Sequence, residues 1–322
     1  MSVLSRIGAY RRGLLNLYGM LTGTNYWFAP LGLGPHFAPG ELSGYAVDFS
    51  VKKQWDGLVD EAGIPVCRTG DGGKIVHPMM VTQKALAHWD DWVGCGRRDA
   101  ESLDTVLLYA DWVVANQDER GGWETWTLVK IPTATPYSAM TQGLCISVLT
   151  RAHRATGDEK YLASARRAVD LMRLPVRRGG TAWRVRAGLV LEEAPFERMN
   201  PVLNGWVFAL FGLHDLTAAV DHEPAKEALD ATVEALAAML RRFDAGFWSY
   251  YDLHGRFASP FYHALHAGQL EAMARAFPSH SDLFGRMGAR FAEDLNNSAR
   301  LWRAVALKSV QRLKDPPING LQ

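Results

Sequence analysis

The sequence predicts a mainly α protein: an incomplete (α/α) toroid of helix hairpins, with short β-strands and hairpins in the loops between helices. Three observations predict it. Helical segments come in four consecutive pairs between residues 81 and 295. The first helix of each pair carries an amide near its start (Gln83, Gln142, Asn204, Gln269), recurring at roughly 60 residues. The first helices are apolar on most faces, whereas the second are strongly amphipathic. That recurrence is one helix hairpin plus a loop, and buried helices wrapped by amphipathic ones make a ring. An open α-solenoid would share the pattern.

The elements follow in order. Residues 1–75 read as an N-terminal helix, Met1 to Gly23, and then loops and short strands packed on the toroid. The segment from Thr24 to Gly73 is dense in Gly, Pro and aromatic residues and poor in helical periodicity. Residues 76–300 form the toroid. Its pairs are Val81–Val93 with Leu103–Asn116, Met140–Ala155 with Lys160–Met172, Val202–Ala218 with Pro224–Arg242, and Tyr262–Ala276 with Ser281–Leu295. The turn Thr156-Gly157-Asp158 separates the second pair. The loops Gly121–Val129 and Thr181–Glu193 have β-type composition. Residues 301–322 read as a C-terminal helix and tail.

Composition narrows the function. The 322 residues are 48% hydrophobic, with 35 Lys+Arg against 34 Asp+Glu. This excludes global disorder and argues against a nucleic-acid partner, which wants a basic excess. No apolar run approaches the length of a membrane span, and no secretory leader is evident. The basic N-terminal helix suits docking on the protein's own body or on a membrane face. Three widely spaced cysteines fit a reducing, cytoplasmic setting. The 11 Trp suit a core, and equally a sugar-stacking cleft.

Nucleotide motifs are missing: no GxGxxG opens a helix after a strand, and Gly70-Asp71-Gly72-Gly73-Lys74 lacks Walker spacing. GxSxG and HExxH are absent too. His263 and His266 share a helix but have no carboxylate or Cys at ligand spacing, so no metal and no cofactor are assigned. Four segments instead place ionisable groups where the first helices begin. They are Lys74–Pro78 with Gln83, Pro136–Gly143, Leu191–Pro195 with Arg198 and Asn204, and Phe247–His266. In a toroid these converge on one cleft holding Glu, Tyr, His and Arg, a set suited to proton transfer. Plain structural roles compete. Ser138 fits an N-cap and Pro78 a first helical position, and Gln142 and Asn204 fit loop ties. Glu192 and Glu193 alternate, so one of them is expected in water, and Tyr250 and Tyr251 alternate, so one of them is expected to face the core.

The blocks Tyr137-Ser138-Ala139-Met140-Thr141-Gln142-Gly143, Glu192-Glu193-x-Pro195, Val202-Leu203-Asn204-Gly205, Gly212-Leu213-His214-Asp215-Leu216, Tyr251-Asp252-Leu253 and Tyr262-His263, with His266 and Gln269-Leu270, occur in this order. In them the chain resembles the D-glucuronyl C5-epimerases of heparan-type polysaccharides, in their C-terminal helical domain. The resemblance implies an (α/α) toroid and cofactor-free inversion at C5 of glucuronate within a polymer, giving iduronate. It implies Glu193 and Tyr262 as the two proton-transfer groups, with Tyr251 a further active-site tyrosine. Tyr137, Gln142, Asn204 and His266, within the matching blocks, are then expected to bind substrate, and His77, Arg198 and His254 are expected to bind and polarise the uronate in place of the family's own groups. The chain departs from the family at His254, where the family has Arg, and at Ala194 and His77, where it has Tyr. The expected partner is an acidic polysaccharide, such as a surface or capsular one made inside the cell. The expectation also admits a homodimer and peripheral contact with the inner membrane or a biosynthetic complex. The rivals are a polysaccharide lyase, which shares the C5 carbanion, and a non-catalytic glycan-binding module.

Overall fold

The computed structural model describes residues 29, 31–69 and 72–314; the expected N-terminal helix lies outside them. Three short strands, β1 (Leu58–Val59), β2 (Pro65–Arg68) and β3 (Lys74–Ile75), form a small antiparallel sheet in sequence order. Then come the helix pairs: α1 (Pro78–Gly94) with α2 (Ala100–Ala115), α3 (Ala139–Thr156) with α4 (Glu159–Arg173), α5 (Leu203–Ala219) with α6 (Glu223–Met239), and α7 (Pro260–Ala276) with α8 (Ser281–Leu295). A ninth helix, α9 (Ser298–Lys314), follows. The loop before α5 holds the hairpin β4 (Ala182–Val185) and β5 (Gly188–Leu191). The other loop of β-type composition, 121–129, is built of turns with a single bridge, Glu124 to Tyr137.

Local chemistry explains the boundaries. Asp99, Ser138, Asp158 and Ser259 each accept a backbone N–H of the first turn that follows, so donors with no intrahelical partner are satisfied. Pro78, Pro224 and Pro260 sit in first turns, where a missing N–H costs nothing. Gly157, at φ +75°, ends α3 in the left-handed conformation that glycine adopts without steric cost.

The helices form an incomplete (α/α) toroid. α1, α3, α5 and α7 lie side by side in that order, and α2, α4 and α6 line the outside. Burial follows the layers: every residue of α3 from Ala139 to Ala152, and of α5 from Leu203 to Leu216, is buried, whereas α4 and α8 bury one face only. Residues 31–49 pack against the inner helices α1, α3 and α5. Phe49 stacks between Tyr45 and Phe208, with centroids 5.6 and 5.8 Å away. The same segment accepts the Trp89 indole N–H at Ser43 O (2.6 Å) and donates the Tyr45 N–H to Asp90 (2.7 Å). A buried ion pair, Arg151 to Asp215 at 2.5 Å, ties α3 to α5, and the same guanidinium donates to Gly44 O. Unpairing either member would strand a buried charge.

α3 and α5 meet backbone to backbone. A methyl group on Gly143 would lie 2.5 Å from Ala209 Cα and from Phe208 O, and one on Gly212 would strike the Gly143 backbone. Gly143→Ala should therefore destabilise the fold by about 1–3 kcal/mol through overpacking. A urea or thermal melt would read this as a lowered midpoint, whereas an unchanged midpoint would mean that the helices can separate freely.

Candidate active site

All four inner helices begin at the same end of the ring. His77 caps α1 there, Ser138 caps α3, the Leu203 N–H opening α5 donates to Tyr251 O, and Tyr262 lies in the first turn of α7. Helix N-termini present unpaired N–H groups and partial positive charge, so this end favours an anion. A cavity of about 170 Å³ opens between the starts of α1 and α3 and the 125–131 loop, lined by His77, Met79, Trp126, Ile131, Met140 and Glu193 among others.

Glu193 follows β5. Its backbone carbonyl accepts the Trp126 indole N–H at 2.9 Å, which orients the residue. Its Oε2 is buried without a hydrogen-bond partner and lies where a side chain at Gly205 would be, so glycine is required there. Burial raises this carboxyl to about 7, against the opposing pull of the Arg256 guanidinium and a hydrogen bond with the Tyr251 hydroxyl. Tyr251 and Tyr262 lie side by side, with their ring centres 4.8 Å apart. Burial and the nearby Glu193 carboxylate raise both phenols, so they are neutral at rest. Glu193, Tyr251 and Tyr262 thus lie close enough together for each to shift the ionisation of its neighbour.

The other sequence-predicted residues fall into three groups. His77 lines the cavity; its Nδ1 accepts the Met79 N–H, and burial lowers its ring to about 4, so it is neutral. Four are tied up in the scaffold. The Tyr137 hydroxyl donates to Asp118 at 2.6 Å, Gln142 donates to Trp123 O, the Asn204 backbone carbonyl accepts from Gln269, and His266 Nδ1 shares the Ser249 hydroxyl with His263, while Gln142 Oε1, Asn204 Oδ1 and His266 Nε2 are buried without a hydrogen-bond partner. Arg198 and His254 are exposed; the backbone N–H of His254 donates to Asn200 and Asp252. Among the described residues no group of three or more His, Cys, Asp or Glu is placed to hold a metal.

One expectation is corrected. Glu192 and Glu193 were expected to alternate, with one of them in water, yet Glu192 is fully buried. The chain after Pro195 folds back over it: Glu192 Oε1 accepts the Asn200 N–H at 2.8 Å, and burial raises its carboxyl to about 8. The sequence reading also missed Asn200, Asp252 and Arg256 as a group. Asp252 is buried and accepts Asn200 Nδ2, the Arg256 N–H and the Arg256 guanidinium. The spacing of Asp252 and Arg256 was the available signal, since four residues across a tight turn suits an ion pair.

Fold and site together define a helix-hairpin protein whose cleft carries an acid–base set at the positive ends of four helices. A family model described as the D-glucuronyl C5-epimerase C-terminus matches residues 117–290, more than half of the chain. The chain belongs to the D-glucuronyl C5-epimerase family. It is 34% identical over 249 residues to a D-glucuronyl C5-epimerase of Caenorhabditis elegans, covering 69% of this chain and 38% of that protein. It is 30% identical over 136 residues to an uncharacterized protein of Methanocaldococcus jannaschii, covering 41% of this chain and 44% of that one. The chain therefore spans less than half the length of these curated relatives. A solved structure of a UGL variant with dGlcA-Glc-Rha-Glc aligns with a TM-score of 0.43 at 15% identity, over 71% of this chain and 61% of that one.

The two raised carboxyls make stability depend on pH. Their folded values, about 8 for Glu192 and about 7 for Glu193, lie above the ordinary 4.5. Their contribution is therefore complete below pH 4.5 and is lost as pH rises through 7 to 8. Urea midpoints should fall across that window, and Glu192→Gln should flatten the decline. A midpoint that is level from pH 5 to 8 in the wild type would contradict the burial of these groups.

Proposed function

We propose that the chain inverts C5 of hexuronate residues within an acidic polysaccharide, D-glucuronate to L-iduronate, by two-base proton transfer. The observation that carries this reading is the cluster of Glu193, Tyr251 and Tyr262, one carboxyl raised to about 7 beside two neutral phenols. Membership of the family supports it.

The chemistry needs a base and an acid on opposite faces of one carbon. The C5 proton is weakly acidic, because the electron pair left behind can move into the adjacent carboxylate. Ionised Glu193 would take that proton and become neutral. Tyr262 would then deliver its phenolic proton to C5 from the other face, and the electron pair would return to form the new C–H bond. That step leaves a Tyr262 phenolate beside a protonated Glu193. Tyr251, which lies beside both, would pass a proton from Glu193 to Tyr262 and restore the starting state. A carboxyl at about 7 is matched to this task, since it is partly ionised at neutral pH yet a stronger base than a solvated carboxylate. The helix N-termini and the nearby cations would stabilise the doubly charged intermediate.

In heavy water, glucuronate polymers should acquire deuterium at C5 without the ultraviolet absorbance of an unsaturated end. Tyr262→Phe and Glu193→Gln should each lower exchange by at least about 100-fold, the usual scale for a lost general acid or base. The wild-type exchange rate should rise with pH to a midpoint near 7. Absorbance with chain shortening would make the protein a lyase, and full exchange in either variant would overturn the assignment of that residue.

A further inference from the structure

A uronate carboxylate must be neutralised wherever its C5 proton is removed, and the two cations the sequence suggested for this, Arg198 and His254, are exposed. The cations nearest the paired phenols lie elsewhere. Arg256 is one, with its guanidinium 5.6 Å from the Tyr251 ring centre, but it is bound to Asp252. The other two are on α9, beyond residue 290 where the family model ends. Lys308 Nζ lies 5.9 Å from the Tyr251 ring centre. Arg312, one turn further on, faces Tyr262 closely enough for each to shift the other's ionisation.

α9 is held in this position from several points. Ala304, one turn before Lys308 on the same face, packs with Trp248 and Ala258 in a small buried cluster. The Gln311 side chain accepts the Phe257 N–H and donates to Gly255 O, both at 2.9 Å. Lys308 Nζ gives one of its N–H groups to Phe257 O at 2.6 Å. The helix thus clamps the turn that joins Tyr251 to Tyr262. It carries five Lys and Arg and no Asp or Glu, a composition that repels no anion.

We infer that α9 is a wall of the site, on which Lys308 and Arg312 together receive the carboxylate of a hexuronate residue seated over the Tyr251–Tyr262 pair. The inference rests on the site being one for hexuronate residues, but not on the epimerisation step. It gives α9 a job that no match to the family core would assign. Burial, with Arg312 and Arg256 nearby and Asp252 opposing, lowers the Lys308 ammonium to about 8, and an arriving carboxylate would hold it charged.

The test is calorimetric binding of a hexasaccharide of alternating glucuronate and N-acetylglucosamine, beside the same oligosaccharide with its carboxyl groups reduced to alcohols. Lys308→Gln keeps a donor for Phe257 O while removing the charge, and Lys308→Arg keeps the charge. Arg312→Gln and the Lys308→Gln/Arg312→Gln double variant complete the set, with melting curves to confirm folding. If the double variant does not fold, the single variants decide. Loss of the charges should weaken binding of the glucuronate oligosaccharide at least about tenfold, with Lys308→Arg near wild type, because charge-assisted bonds to a carboxylate are the strong ones. The reduced oligosaccharide should bind weakly to all forms alike. Binding by the charge-free variants within about twofold of wild type would overturn the inference, and so would equal wild-type affinity for the two oligosaccharides. Charge-dependent binding without C5 exchange would support this inference while overturning the epimerase reading.

Discussion

The close approach of α3 and α5 is the constraint on which the site depends. These helices touch through Gly143 and Gly212, with no side chain between them. Because they touch, their N-termini end side by side, and the chain entering α5 must pass directly over the start of α3. The Ala139 N–H donates to Glu192 O at 2.8 Å across that junction. Glu193, the next residue, is thereby pressed against Gly205 in the first turn of α5. A wider spacing would open room for water around the Glu193 carboxyl, and the burial that raises it would be lost. Packing thus controls an ionisation, through a contact well removed from any substrate.

The electrostatics of the site are asymmetric. One side carries buried carboxyls, Glu192 and Glu193, that burial holds close to neutral. The other carries Arg256, Lys308 and Arg312 near two neutral phenols. Such an arrangement is costly, because the two carboxyls and Lys308 are partly desolvated. Cost of that kind is common where chemistry is done, and it is offset here by the wide apolar interface of the helix layers. The neutral histidines belong to the scaffold side of the balance. His263 and His266 share Ser249, and His263 stacks on Trp248 at 3.7 Å, so the ring pair fastens the 244–259 loop to α7.

The eight paired helices were legible because helical periodicity is local. Apolar spacing, caps such as Ser138 and Asp158, and stops such as Gly157 all act within a few residues. The loop 121–129 was misread as β-type because aromatic and β-branched composition cannot tell a strand from a turn that buries Trp123. Glu192 was misread for a different reason. Alternation predicts which face a side chain points to, not whether later chain will cover that face. The recurring amides were seen, but their work at the ring's seams needs two helices to specify, as with Gln269 Nε2 donating to Asn204 O across α7 and α5.

By itself the sequence determined the helix hairpins, their inner and outer order, and the segments whose ends meet, since each rests on contacts between near neighbours in the chain. Tertiary structure alone decided how the ionisable groups are brought together. Glu193 meets Tyr251 and Tyr262 only through helix packing, and α9 meets them only because Ala304 and Gln311 find the turn at 255–258. The charge state of each group followed from that meeting. Desolvation and Coulomb terms depend on distance in space, and distance in space is set by packing between residues far apart in the chain.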